Sequence, residues 1–298
     1  MHLTKIQIRD YLFGYIAIIV MVAVSAHFKT ERIILPEFAV MSVGMLALRE
    51  MNWIKQPYKI VATPVMTALI GYLVNLLPLA YIFKIGLVLF LMLVLLKLTR
   101  SRLAPAFATG LLPIITDAHH WTFILIIILL TGILLVGVLI HGSHKRISFE
   151  LKPISSVAVW QYIWITAIWV LLVHGLGQDI MVGIPPVSVL LLEAVQQVKY
   201  PLYMWGKHVL ALTLAAALGV LGVILTNNWV LDMAITLPTI FVLLQIMKLE
   251  LPAVYAFPPL MLILPKAMLP NLVLYTALAS GVMLGCVFIT KQYKVMRS

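Results

Sequence analysis

One hydrophobic pattern occurs twice in this chain, and that recurrence constrains the fold more than any single motif. Lys55-Gln56-Pro57 returns as Lys199-Tyr200-Pro201, and Gly71 returns as Gly219 behind a similar small-residue run. Lys97-Leu98 returns as Lys248-Leu249, and Pro113 as Pro265, so the offset grows only from 144 residues (55 to 199) to 152 (113 to 265). Internal duplication of a membrane segment is how many transporters are built, with a substrate site where the copies meet. Transport is therefore the first functional expectation.

Of the 298 residues, 63% are hydrophobic and only 10% charged. A soluble domain carries roughly 25% charged residues, so the composition reads as a polytopic, all-α membrane protein. The single cysteine, Cys286, excludes an internal disulfide and lies in an apolar run, where a buried small hydrophobe is the simplest reading. The stretch after Met1 has no small-residue cleavage site and reads as a retained first helix.

A spanning helix needs about 20 apolar residues, with a range near 17–25. Twelve segments fit or approach this: 11–28, 33–49, 58–79, 81–98, 103–117, 120–141, 155–176, 181–196, 205–226, 229–247, 252–268 and 270–290. They predict a first repeat over 1–141, a linker over 142–154 and a second repeat over 155–298, with six segments in each half. Four segments are short and carry proline near their starts: Pro36, Pro105, Pro185-Pro186 and Pro258-Pro259. Proline suits a first helical turn, where its missing N–H would lack a partner anyway. These segments either span with help from neighbours or re-enter. Pro113 and Pro265 are expected to kink the fifth segment of each half.

With a cytoplasmic N-terminus, all of the 21 lysines and arginines except Lys29, Arg32, Lys84 and Lys266 fall on the inner side. That is the positive-inside pattern. It accounts for most of the +11 net charge without nucleic acid, which would need a basic patch on one soluble face. An even number of segments per half makes the repeats parallel, related by an axis along the membrane normal. Both termini are then cytoplasmic, in a cell membrane. Trp53, Trp121, Trp205 and Trp229 stand at segment ends, where interfacial anchors are expected.

Three stretches carry a family likeness: Gln56-Pro57-Tyr58-Lys59, Thr67-Ala68-Leu69-Ile70-Gly71, and Leu98-Thr99-Arg100 through Pro105-Ala106-Phe107-Ala108-Thr109. Their order resembles the HPP family of integral membrane proteins, whose pattern runs Q-P-R, a small-residue helix with glycine, then L-T-R and H-P-P-A-G-A-T. Trp121 and its long apolar helix fit the same layout, and the second half repeats it through Phe257-Pro258-Pro259. The chain looks like two HPP-like units in tandem, over 33–141 and 181–290. The signature histidine is Ala104 in one half and Phe257 in the other, and the double proline is complete only at Pro258-Pro259. The resemblance implies an anion transporter, nitrite-like in substrate.

Only ten acidic residues exist. Four ionisable side chains fall inside segments: Glu37, Lys84, Glu193 and Asp232. Such groups cost at least about 2.5–3.5 kcal/mol on insertion scales and face a partner or a wet cavity. In a functional reading, Lys84 and Asp232 occupy corresponding helices and meet near the pseudo-twofold axis, while Glu37 and Glu193 line the path. In the competing reading all four sit at the interfaces and reach the headgroups. The starts at Pro36, Pro105, Pro186 and Pro258-Pro259 offer positive helix ends to an anion, with Thr109 and Ser188 adding hydroxyl donors. Asp117, His119 and His120 do not make up a zinc ligand set, so no metal and no cofactor is expected. No phosphate loop, HExxH or nucleophile elbow is present, which points away from an enzyme.

The expected function is transport of a small anion at a site between the repeats. A membrane-embedded accessory or scaffold subunit is the alternative. Expected partners are the lipid bilayer and the solute, with no nucleic acid; homo-oligomerisation is left open.

Overall fold

The structure, a computed structural model, describes residues 5–140 and 153–295. The expected linker over 142–154 lies almost wholly outside them. Among the described residues there are helices and turns but no strand, as a bilayer demands of a chain that must satisfy its own backbone groups.

Among the described residues thirteen α-helices follow in order: α1 (Lys5–His27), α2 (Pro36–Ser42), α3 (Met51–Ile54), α4 (Tyr58–Asn75), α5 (Tyr81–Leu98), α6 (Pro105–Ile115), α7 (Thr122–Ile140), α8 (Ser156–Gly175), α9 (Pro185–Gln196), α10 (Leu202–Leu225), α11 (Trp229–Met247), α12 (Phe257–Ile263) and α13 (Leu269–Val295). α2 continues as a π-turn (Val43–Ala47), and α12 is preceded by a 3-10 turn (Pro252–Ala256). Among the described residues seven helices are long and apolar enough to cross a membrane: α1, α5, α7, α8, α10, α11 and α13. α4 has 18 residues but carries Pro64 in its interior.

The four short proline-headed segments are the core. Every residue of α2 and its π-turn is buried, as is every residue of α6 and of the 3-10 turn Pro252–Ala256. The long helices instead expose large apolar side chains along one face, such as Leu125, Leu129, Ile133, Val136 and Ile140 on α7. Lipid is as apolar as leucine, so helices in a bilayer associate through close packing at small residues rather than through exclusion of water. A Cβ on Gly71 would lie 2.0 Å from the Gly110 carbonyl oxygen, so α4 and α6 are in backbone contact. Gly219 brings α10 against α12, with Phe257 backbone atoms 3.3–3.4 Å from an added Cβ. The duplicated glycine thus marks, in each half, where a long helix rides over a short one.

Packing closes the short segments into a ring. α2 touches α6 and the Pro252–Ala256 turn, and α9 touches the same two. Two further bonds show where α2 and α9 begin. The Leu35 N–H reaches Met21 Sδ at 3.4 Å, and the Trp169 indole N–H donates to the Val182 carbonyl at 3.3 Å. Met21 and Trp169 each precede the last residue of their helix, His27 and Gly175, by six residues. At 1.5 Å per residue both chains therefore re-enter by about 9 Å before the short helix starts.

Hydrogen bonds sort segment ends into two layers. Arg49 reaches Asp10 at 2.7 Å, Lys59 reaches the Thr99 carbonyl, Lys97 the Ser156 hydroxyl, Lys207 the Met247 carbonyl and Lys291 the Val195 carbonyl. The opposite layer joins Tyr72 to the His119 carbonyl, Asn75 to Ala118, Lys84 to Asn75 and His174 to Asp179.

Two sequence expectations fail here. Pro113 lies inside α6, but Pro265 follows the end of α12 and stops it instead of kinking it. Trp53 is no interfacial anchor: its ring is buried against Gly44, where an added Cβ would meet it at 2.2 Å.

Candidate functional site

Each half sends an aromatic side chain across the seam to the other. Tyr15 of α1 meets Tyr255, with ring centroids 5.9 Å apart and hydroxyls 3.1 Å apart. Tyr162 of α8 meets Phe107 of α6 edge-on at 5.1 Å. Counting back from the ends of α1 and α8, both tyrosines lie at nearly the same depth, about 18–20 Å along the helix. Their chemistry differs. Phenylalanine offers no acceptor, so the fully buried Tyr162 hydroxyl has no hydrogen-bond partner. Thr166, one turn along α8, is likewise unpartnered, and the Ser188 hydroxyl on α9 lies beside them. An unmade hydrogen bond on a buried polar group costs about 1–3 kcal/mol, so a cluster of free donors in a packed core is a place for an absent acceptor.

The residues singled out in the sequence scatter around this seam. Pro36, Pro105 and Pro185-Pro186 open α2, α6 and α9, while Pro258-Pro259 occupy the first turn of α12; all are buried. Thr109 is buried in α6 but donates to its own helix, at the Pro105 carbonyl. Ser188 joins the hydroxyl cluster. Glu37, in the first turn of α2, is 0% exposed, with both oxygens lacking a partner. Glu193 is partly exposed near the end of α9, within electrostatic reach of Glu50.

Lys84 and Asp232 do not meet. The Lys84 ammonium donates to the Asn75 carbonyl at 2.6 Å and to its side chain at 3.3 Å. Asp232 is 1% exposed, lies over Gly222 between α10 and α11, and has no partner for either oxygen. Their helices lie on different flanks, α5 against α4, α6 and α8, and α11 against α1, α10 and α12. The headgroup reading also fails for Glu37 and Asp232, since neither reaches a surface.

Two cavities flank the ring. One, of about 340 Å³, lies in the layer of Asn75 and His119 and is lined by Glu31, Arg32, Ile34, Asp117, His119 and Ile263, among others. The other, of about 500 Å³, lies at the opposite end between the halves, lined by Tyr11, Ala47, Leu48, His208, Lys248 and Glu250, among others. Ile34 and Ala47 bracket α2 and its π-turn, so one short helical segment joins the floors of both cavities. Among the described residues no group of three or more His, Cys, Asp or Glu side chains could hold a metal ion.

Tyr162 and Thr166 were missed in the sequence. Their signal was present: Gln161, Tyr162 and Thr166 share an inward face of an otherwise apolar helix, and Tyr162 and Thr166 stand at the four-residue spacing that stacks side chains.

The family profile for the HPP transmembrane region matches residues 2–147, which is the whole first half, including α1 ahead of the span over which the likeness was read. No curated protein and no solved structure matches the chain. The second half follows the same order of long and short helices. Residues 2–147, just under half of the chain, match the HPP transmembrane family, consistent with an HPP-family membrane protein.

Proposed function

We propose that the chain is a membrane carrier for a small anion, nitrite-like in size, held at the seam between two parallel six-segment repeats. The repeats comprise α1–α7 and α8–α13, and the layer of Arg49, Lys97 and Lys207 faces the cytoplasm together with both termini. The observation that carries this reading is the buried hydroxyl cluster of Tyr162, Thr166 and Ser188, in which the Tyr162 and Thr166 hydroxyls have no partner outside the cluster. A small anion leaving water needs donors without a rigid cation that would hold it too tightly. Neutral hydroxyls, aided by the N-terminal end of a half-helix, supply them.

Supporting observations are the matched re-entrant starts of α2 and α9, the two aromatic contacts across the seam, and cavities that approach the ring from both layers. Rocking one repeat against the other about these contacts would open the seam to each cavity in turn. No nucleotide hydrolysis is involved, and neither cofactor nor metal takes part.

Uptake into proteoliposomes, measured over a panel of nitrite, nitrate, formate and organic acids, tests the proposal. Saturable flux of at least one small anion above protein-free vesicles is expected. Flux at the vesicle background for the whole panel would remove the reading and leave the accessory-subunit alternative.

A further inference from the structure

We infer that Glu37 is a proton-carrying residue that couples anion movement to a proton gradient. The inference rests on the carrier reading above. Glu37 is fully enclosed, its oxygens meet no donor from another residue, and it lies at the ring rather than at a surface. It is three residues from Ile34, which lines one cavity, and its own helical segment ends at Ala47, which lines the other. A carboxyl so placed is one turn away from water on one side.

Among the described residues of the elements packed against it, no countercharge stands at its depth. The elements packed against α2 are α1, α6, α7, α12, the π-turn Val43–Ala47 and the turn Pro252–Ala256. α6, α7, α12 and the π-turn contain no titratable residue. α1 brings Arg9, Asp10, Tyr11, Tyr15 and His27, and the 3-10 turn brings Tyr255. Leu35 is level with Met21, so Arg9, Asp10 and His27 lie about 12 Å or more from Glu37 along the helix axis. Tyr15 and Tyr255 are nearer, about 6 Å along the same axis. Their bonded hydroxyls stand between Glu37 and Tyr11, which lines the opposite cavity. Two cavities, a tyrosine ladder and a lone carboxyl make a proton route of the kind that marks intramembrane acids.

The step is a simple protonation. One proton binds the Glu37 carboxylate as one anion occupies the hydroxyl cluster, both cross together, and both are released on the far side. The cycle moves no net charge, which removes the electrical cost of carrying an anion against an inside-negative potential.

The test uses the full-length protein in proteoliposomes, with nitrate as probe and protein-free vesicles subtracted. An acid-outside gradient is expected to raise wild-type uptake several-fold. Glu37→Gln is expected to lose that response while keeping nitrate counterflow at equal pH. Wild-type flux indifferent to the gradient, or a Glu37→Gln protein with the wild-type response, overturns the proton role and leaves the carrier reading standing. Absence of nitrate flux and counterflow in the wild type, together with silence across the rest of the panel, overturns both. Infrared pH-difference spectra of the wild type give an independent readout, with a protonated carboxyl band that titrates and is missing in Glu37→Gln. A wild type without such a band would also overturn the inference.

Discussion

The two halves share a plan and differ in what they leave unsatisfied. In the first, Tyr15 finds a hydroxyl on Tyr255, and the unpartnered groups include the carboxyl of Glu37 and the Ser42 hydroxyl on the same helix. In the second, Tyr162 finds the hydrocarbon ring of Phe107, and at that contact the Tyr162 and Thr166 hydroxyls are unpartnered, while the unpartnered Asp232 carboxylate lies apart from it, between α10 and α11. At the ring itself, α2 of the first half presents an acid and α8 of the second presents hydroxyls. Apolar side chains would fill either place at lower cost. Polar groups buried on both sides of the seam are what the carrier reading explains.

The scaffold beneath that difference can be broken first. Gly71→Ala drives a methyl into the Gly110 backbone carbonyl, which cannot yield as a flexible side chain would. We expect a loss of about 3 kcal/mol or more, at the upper end of overpacking penalties. In detergent this is read as a large fall in melting temperature. Gly219→Ala meets contacts of 3.1–3.4 Å and is expected to cost clearly less, while Gly86→Ala, with open space around it, is the neutral control. Equal effects at 71 and 219 would mean the halves are packed alike and the contrast drawn here is too strong.

The tyrosines give a sharper test, because the same substitution should do opposite things. Tyr15→Phe removes a bonded hydroxyl and strands Tyr255, so about 1 kcal/mol of stability should go while the transport KM holds. Tyr162→Phe removes a hydroxyl whose only polar neighbours are the Thr166 and Ser188 hydroxyls of the cluster. Stability should hold or rise slightly, and KM should increase about tenfold, the equivalent of one lost hydrogen bond of about 1.4 kcal/mol. Melting curves and uptake kinetics on the two variants check both.

The smallest effect expected is an absence. Lys84→Ala and Asp232→Ala should each change stability but combine additively within about 0.3–0.5 kcal/mol, as distant sites do. A larger coupling energy would restore the ion pair that the sequence suggested.

Much of this architecture was legible in the chain because periodic apolar runs, prolines and glycines act locally. Pro36, Pro105 and Pro185 do open short helices, and the duplicated Pro57 and Pro201 immediately precede α4 and α10. Gly71 and Gly219 mark the closest helix approaches. The site was less legible, since its content depends on what lies across the seam. Whether Tyr162 is satisfied turns on Phe107, 55 residues earlier (107 to 162) in the other half. The Lys84–Asp232 pairing failed for the same reason: equivalence in sequence was taken for proximity in space.

Uptake kinetics of the triple variant Tyr162→Phe, Thr166→Val, Ser188→Ala in proteoliposomes test the central claim most directly. The protein is predicted to fold, insert and melt like the wild type, with saturable anion uptake shifted to a KM at least tenfold higher or lost altogether. Wild-type KM and maximal rate in that variant would contradict a substrate site at the seam.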